Sequence, residues 1–273
     1  MVKKEIIVEK SEKMHSFLQN YGFSFVDVNK MLRNKDVKLN GKPCKENVLL
    51  QVGDEIVFYY KEEALAKKYE KIYETDDVLI VYKSAGIESA GENGLEAVLG
   101  VIAVHRLDRN TEGLMVFAKN QGAKDKLEKA FKKQFIHKFY VAEVVGKFET
   151  DKVYGAFLVK DRVNSMVKIY QNEINGAVPI KTRVRTLKVN EQSSLLELEL
   201  LTGKTHQIRA HLAFLGHPII GDGKYGKNEI NKKFKQNRQK LCCFRLEFDN
   251  LGLDSLNGKV FKKNPKWVFE GLI

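Results

Sequence analysis

The sequence predicts an α+β protein with a large mixed, mainly antiparallel β-sheet and a small amino-terminal α/β domain. Short apolar runs with strand-like patterns recur between residues 78 and 248. Helical patterns are few, fall at irregular intervals between these runs and show no repeat of fixed period. Residues 14–60 carry a separate set of helix, turn and strand patterns. Irregularly interspersed elements of this kind are typical of α+β folds.

The amino-terminal part of the chain has the patterns of a domain of its own. Its apolar residues first follow helical spacing and then alternate, as in short strands. An Asn-Gly pair between alternating segments is a strong signal for a hairpin turn. The predicted elements are helices within residues 14–21 and 25–35, a turn at Asn40-Gly41 and a strand within residues 52–60. We expect a small domain at residues 1–62, a charged linker at residues 63–71 and a larger domain at residues 72–273.

The larger domain is dominated by strand patterns. Strands are predicted within residues 78–82, 99–104, 114–118, 135–146 and 241–248, with successive β-segments from residue 153 to residue 201. Helices are predicted at residues 121–135 and 206–216, where apolar residues share one face. The strongly basic tract at residues 224–240 is expected to be an exposed loop.

A polar loop separates two of the apolar runs. It contains His105, Arg106, Asp108, Arg109, Asn110, Thr111 and Glu112, more polar groups than a turn requires. Loops held by rigid strands often carry catalytic groups, so Asp108 is a candidate catalytic carboxylate. The alternative is that Asp108 caps a turn or pairs with a neighbouring arginine.

Charge and composition narrow the class of partner. The chain carries a formal charge of +12, which favours a polyanionic partner, either nucleic acid or an acidic membrane surface. No apolar run approaches the roughly 20 residues that span a bilayer, and the amino terminus lacks a secretion signal. The three cysteines fit a reduced compartment. We therefore expect a cytoplasmic protein without a membrane-spanning segment. Of the two polyanionic partners, we expect nucleic acid and not a membrane.

Several common sites can be excluded. The Gly-Lys-Thr at residues 203–205 lacks the earlier glycine of a phosphate-binding loop, since position 198 is leucine. His206 and His211 are five residues apart, one more than the step that aligns two metal ligands on a helix. There is no paired-cysteine zinc motif and no nucleophile elbow. The sequence therefore predicts no metal site.

Three long motifs carry a family resemblance. HRLDRNTEGLMVFAK (residues 105–119), KFYVAEVVG (138–146) and LTGKTHQIRAHLAFLGHPIIGD (201–222) resemble the RluA-type pseudouridine synthases. The resemblance covers roughly residues 72–273 and implies the pseudouridine synthase fold, a mixed sheet with an active-site cleft across its centre. It also implies detachment of uracil from ribose, rotation, and rejoining through carbon 5, without a metal or organic cofactor. Residues 37–56 resemble an S-four-like RNA-binding domain, named after a ribosomal protein.

The resemblance assigns roles to residues. Asp108 matches the essential aspartate, which either adds to the anomeric carbon or takes a proton from the neighbouring ribose carbon. Tyr140 matches the tyrosine that stacks on the flipped base, and Arg209 matches the arginine that pairs with the aspartate. The alternatives are a core tyrosine in a strand and an exposed helix arginine. Arg106 matches the residue that enters the RNA stack where the target base has left. Such a residue is needed because extrusion of the base costs stacking energy that another group must compensate.

Further residues complete the expected site. Leu241 matches a leucine of the base pocket. The cations expected to contact RNA are Lys30, Arg33, Lys35, Lys83 and Lys138. Departures from the family pattern are Ser84 in place of the usual proline, Glu112 in place of a common serine, and the pair Cys242-Cys243, which we expect to serve packing.

We therefore expect a monomeric RNA uridine isomerase with large-subunit (23S) ribosomal RNA as substrate. Transfer RNA is the nearest alternative substrate. Two other classes stay open: a non-catalytic RNA-binding or ribosome-assembly factor, and a metal-dependent RNA hydrolase.

Overall fold

The computed structural model describes residues 2–21, 23, 25–60, 69–91, 94–161, 164–250 and 252–268. The chain forms two compact units, Met1–Lys68 and Tyr69–Ile273. Residues 63–68 of the expected linker lie outside the described residues. Residues 69–71 were also assigned to the linker, but they begin a strand that pairs with the next one, so the linker assignment is wrong there.

The amino-terminal unit combines two helices with a four-stranded antiparallel sheet. Its elements are β1 (Val2–Ile7), α1 (Met14–Tyr21), α2 (Phe25–Arg33), β2 (Val37–Leu39), β3 (Lys42–Pro43) and β4 (Glu55–Tyr60), and the strand order is β1-β4-β2-β3. Buried Met14, Leu18 and Leu32 from the helices pack with Phe58 of the sheet. The predicted helices and the Asn40-Gly41 turn are confirmed, and strand β1 was not predicted. Gly22, the predicted helix end, lies outside the described residues.

The second unit is built on one large sheet. Its elements are β5 (Tyr69–Glu74), β6 (Val78–Lys83), α3 (Leu95–Leu99), β7 (Ile102–Ala103), β8 (Glu112–Ala118), α4 (Gln121–Lys132), β9 (Ile136–Val145), β10 (Asp151–Asp161), β11 (Met166–Tyr170), β12 (Val178–Val189), β13 (Ser193–Leu200), α5 (Gln207–Phe214), α6 (Asn228–Lys233), β14 (Leu241–Phe248) and β15 (Val260–Lys262). The sheet order is β11-β10-β12-β13-β9-β14-β8-β6-β5, with β7 beside β8 and β15 beside β14. Among the described strands only β8 and β14 pair in parallel, which confirms a mixed, mainly antiparallel sheet. None of the described helices is long and apolar enough to cross a membrane.

Two local predictions are wrong. The expected strand at residues 99–104 is instead the end of α3, a left-handed Gly100 and the two-residue strand β7. Periodicity alone cannot separate a short buried helix from a short buried strand, and the positive φ of Gly100 (64°) ends the helix. The expected loop at residues 224–240 contains the helix α6, which begins directly after Lys227, so the loop prediction is wrong there.

The parallel pairing of β8 with β14 begins where the polar loop ends. Gly113 lies at φ 129°, and a Cβ there would come within 2.8 Å of three backbone atoms of Cys243. Only glycine permits this close approach, so the chain can leave the loop and enter β8 directly against β14. Strand β8 is buried from Gly113 to Ala118, which gives the loop a rigid base.

Candidate active site

Asp108 lies in the loop between β7 and β8, and backbone contacts fix that loop. The buried Ser89 hydroxyl donates to the carbonyl of Leu107 (2.8 Å) and accepts from its N–H (2.9 Å). The Thr111 N–H donates to the Asp108 carbonyl (3.0 Å) and closes a turn. The carboxylate of Asp108 is thus held on an immobilised backbone.

Lys83 supports the same loop from within the protein, so its predicted RNA contact is wrong. Its side chain is fully buried (0% exposed). Its Nζ donates to the carbonyls of Ser84 (3.1 Å), Ile87 (2.8 Å) and Arg109 (3.1 Å). Burial lowers the pKa of Lys83 to about 7. The lysine joins the end of β6 to the Asp108 loop and does not face solvent.

We expect replacement of Lys83 by methionine to lower stability and to change its pH dependence. An unfolded chain keeps the lysine proton up to a pH of roughly 10, whereas folding releases it above about pH 7. The free energy of unfolding of the wild type should therefore gain about 1.4 kcal/mol per pH unit from this group between roughly pH 7 and pH 10. For Lys83→Met, the free energy of unfolding, measured with urea at each pH, should rise with pH less steeply by about this amount. The exposed Lys126→Met serves as the control, and equal slopes in wild type and Lys83→Met would contradict the assignment.

Arg209 joins two carboxylates. Its Nη1 donates to Asp108 Oδ2 at 2.8 Å across 101 residues of sequence. On its other edge, Nε and Nη2 donate to Asp222 Oδ2 (2.7 Å) and Oδ1 (2.9 Å). The Arg209 side chain is 9% exposed and that of Asp222 is 0% exposed. The alternative of an exposed helix arginine is therefore wrong.

Asp222 holds the guanidinium in one orientation. Its Oδ1 also accepts from the N–H groups of Lys224 (2.8 Å) and Tyr225 (3.1 Å). Burial alone would raise the pKa of Asp222, but the hydrogen bonds and charge of Arg209 outweigh it and hold that pKa below its usual value. Burial likewise opposes the charge of Arg209, and the two carboxylates raise its pKa. The pair is a fixed, fully charged support for Asp108.

A cavity of about 470 Å³ opens beside Asp108, within the usual range for small-molecule sites. The residues predicted for the site that line it are Arg106, Asp108, Lys138, Tyr140, Arg209 and Leu241. Burial, followed by the neighbouring Cys243 and Asp108, raises the pKa of Tyr140 well above its ordinary value. Tyr140 is therefore a neutral phenol at physiological pH, in contact with a cavity that could receive a flat ring.

The predicted RNA-contacting cations divide into three groups. Arg106 is exposed at the cavity, and Lys138 lies partly buried in it with its Nζ 5.0 Å from the centre of the Phe131 ring. Burial lowers the pKa of Lys138. Lys83 is the buried exception described above. The remaining three, Lys30, Arg33 and Lys35, are exposed on α2 and the turn after it, in the amino-terminal unit.

Sequence reasoning missed three residues of this site: His206, Asp222 and Tyr225. His206 was considered only as a metal ligand, although it stands three residues before Arg209, one helical turn away. Its Nε2 lies 3.9 Å from Asp108 Oδ2. Asp222 ends the motif at residues 201–222, and a carboxylate at that place in the motif was the available signal.

Two of the three departures from the family pattern have structural explanations. Glu112 accepts a hydrogen bond from the indole N–H of Trp267 (2.7 Å), which fastens a carboxy-terminal segment to the start of β8. Cys242 and Cys243 are free and fully buried, as expected for packing residues. The backbone carbonyl of Ser84 accepts a hydrogen bond from Lys83 Nζ, but a proline would supply the same carbonyl, so this contact does not explain the serine.

Comparisons with known proteins converge on one family. The family model described as RNA pseudouridylate synthase matches residues 77–214. The chain is 34% identical over 268 residues to the ribosomal large subunit pseudouridine synthase C of Vibrio parahaemolyticus, covering 88% of this chain and 81% of that protein. It is 31% identical to an uncharacterized RNA pseudouridine synthase of Mycoplasma pneumoniae, covering 84% and 82%. The solved structure of human RNA pseudouridylate synthase domain containing 1 shares the fold, with a TM-score of 0.61 at 23% identity over 73% of this chain and 84% of that chain.

Proposed function

The chain belongs to the RNA pseudouridylate synthase family, and from this premise we propose that it isomerises uridine to pseudouridine in large-subunit (23S) ribosomal RNA, with Asp108 as the catalytic group. The observation that carries the site assignment is the Asp108–Arg209 contact of 2.8 Å at the wall of a cavity that Tyr140 also lines. The ribosomal substrate rests on the names of the relatives that the chain resembles and on its charge of +12. Transfer RNA is the alternative substrate.

The reaction is an isomerisation: the nucleotide keeps all its heavy atoms and exchanges only protons with its surroundings. The bond between N1 of uracil and the anomeric carbon breaks, the base rotates, and a bond from carbon 5 to the anomeric carbon forms. Carbon 5 then loses its proton and N1 gains one. Asp108 either adds to the anomeric carbon or removes the proton of the neighbouring ribose carbon, and an ionised carboxylate serves both routes. Arg209, oriented by Asp222, donates a hydrogen bond to that carboxylate and fixes it in place.

The remaining site residues bind the extruded nucleotide. Tyr140 is neutral and buried, which suits stacking of its ring on uracil more than proton abstraction in the unliganded site. Leu241 supplies an apolar wall of the same cavity. Exposed Arg106 is placed to enter the RNA stack where the base has left, and Lys138 adds positive charge inside the cavity.

The amino-terminal unit would act as an S-four-like RNA-binding domain. Its exposed Lys30, Arg33 and Lys35 lie on and just after one helix, where they can contact phosphates. Such contacts release counterions, so affinity for RNA should fall steeply as salt rises. Binding that stays flat between about 50 and 200 mM salt would contradict this part of the proposal. We also propose that the enzyme acts as a cytoplasmic monomer, and sedimentation at a mass near 31.3 kDa would test the monomeric state.

Tritium release tests the function directly. RNA labelled at carbon 5 of uridine loses its tritium to water only when a carbon–carbon glycosidic bond replaces that hydrogen. We expect release from large-subunit ribosomal RNA made without modifications, in the presence of a chelator, and none from transfer RNA. Release from transfer RNA alone would move the substrate to that class. No release from either RNA, or strand cleavage that requires a divalent ion, would contradict the proposed function.

A further inference from the structure

We propose that His206 is a positioning residue for Asp108, an inference that rests on the proposed function. His206 lines the same cavity, and its Nε2 lies 3.9 Å from Asp108 Oδ2. The side chains of His206 and Asp108 are 15% and 17% exposed, so the two groups meet at the cavity wall and away from bulk water.

A chain of hydrogen bonds sets which ring nitrogen carries the proton. The Val167 N–H donates to the hydroxyl oxygen of Tyr225 at 2.9 Å. That hydroxyl lies 2.9 Å from His206 Nδ1, and we take its hydrogen to point at Nδ1, which makes Nδ1 the acceptor. A neutral ring that accepts at Nδ1 carries its hydrogen on Nε2. Burial, opposed by Asp108 and assisted by Arg209 and Lys224, lowers the pKa of His206, so the neutral ring is the form present at neutral pH.

The backbone of His206 also has an unusual conformation. The residue precedes α5 with φ 55° and ψ 15°, the left-handed conformation, and makes no side-chain cap for the helix. Residues other than glycine rarely adopt this conformation, and such strain is concentrated at functional sites. A capping role would favour a residue whose side chain bonds to the helix. Instead, the ring of His206 is held at the cavity by Tyr225.

The two carboxylate oxygens of Asp108 have different surroundings. Arg209 Nη1 donates to Oδ2, and His206 Nε2 faces that same oxygen. No residue in the described ranges donates to Oδ1. A separation of 3.9 Å is too long for a hydrogen bond, but contacts of this kind commonly shorten when substrate closes the site. His206 would then complete the support of Oδ2 and direct Oδ1 at the ribose.

Two substitutions at His206 separate positioning from folding. Glutamine keeps an N–H donor at the place of Nε2, but it fits a left-handed backbone poorly. Asparagine tolerates that backbone, but its amide reaches only the place of Nδ1. We expect His206→Asn to have the higher Tm and His206→Gln the higher rate. Single-turnover tritium release should fall by about 10-fold to 100-fold in His206→Asn and less in His206→Gln, because misplacement of a reacting group by about 1 Å has effects of this size. RNA affinity should stay within about twofold of wild type, since His206 acts through Asp108 and not through phosphates.

A second pair tests the tautomer. Tyr225→Phe removes the hydroxyl that bonds to His206 Nδ1, and it should slow single-turnover release with little effect on RNA affinity. Tyr154→Phe removes a hydroxyl bonded to Thr150 Oγ1 (2.9 Å) outside the cavity, and its rate should match the wild type. Rates that follow Tm, with His206→Asn at or above His206→Gln, would overturn the inference. No release from the wild type would instead overturn the proposed function itself.

Discussion

Replacement of Asp108 by asparagine should abolish tritium release from labelled ribosomal RNA while RNA binding survives. The carboxamide has nearly the shape of the carboxylate and can still accept from Arg209 Nη1 through its oxygen. It cannot add to the anomeric carbon or remove a ribose proton, whichever route the enzyme uses. Loss of one acid–base group costs up to about 10⁴-fold in rate, and loss of a nucleophile costs more. We therefore expect single-turnover release to fall by about 10²-fold to 10⁴-fold if Asp108 acts as a base, and by more if it acts as a nucleophile.

The control for this variant is a matched change of charge elsewhere. Asp254→Asn alters an exposed carboxylate outside the cavity, and its rate should equal that of the wild type. RNA affinity of Asp108→Asn, measured by filter binding, should change by less than about twofold, since phosphate contacts supply most of the affinity. Retained release in Asp108→Asn would refute the catalytic assignment, whereas a loss of both release and binding would indicate misfolding.

Replacement of Asp222 by alanine should have the largest effect on stability. It leaves the side chain of Arg209, only 9% exposed, without its bidentate partner. Removing one member of a buried ion pair typically costs about 3–5 kcal/mol. The activity should fall as well, because the guanidinium that orients Asp108 is no longer held on its other edge. Urea unfolding and single-turnover release measure the two effects on the same preparation.

The stability lost in Asp222→Ala should depend on pH. Because the folded pKa of Asp222 lies below its ordinary value, its ion pair stabilises the protein above roughly pH 4. That contribution disappears as pH falls through the folded pKa. The difference in stability between wild type and Asp222→Ala should therefore shrink below roughly pH 4.

An exposed ion pair provides the comparison for Asp222→Ala. Asp151 lies 3.7 Å from Arg183, and both side chains are 55% exposed. Asp151→Ala should cost no more than about 1 kcal/mol, as exposed pairs do. Equal losses in the two variants would show that burial of the Arg209–Asp222 pair does not matter.

Much of the fold was predictable because it depends on neighbours in the sequence. The amphipathic spacing of α4, the short apolar run of β14 and the Asn40-Gly41 turn are local patterns, and the structure confirms them. The polar loop was predictable for the same reason, since the apolar run of β8 follows it directly, although Glu112, predicted in the loop, already belongs to β8. The expected strand at residues 99–104 failed where a short apolar run suits two conformations and Gly100 decides between them.

The chemistry of the site depended on contacts that no local pattern contains. Lys83 was expected at the surface, but carbonyls from two separate loops, at Ile87 and Arg109, surround its Nζ in the interior. Arg209 and Asp108 are 101 residues apart, and the second partner of Arg209, Asp222, comes from a third segment. Local sequence could nominate Asp108 as a catalytic carboxylate. Only the packing of α5 and the following loop against the sheet decides which groups reach it, because charge and hydrogen bonding act over a few ångströms in space, whatever the separation along the chain.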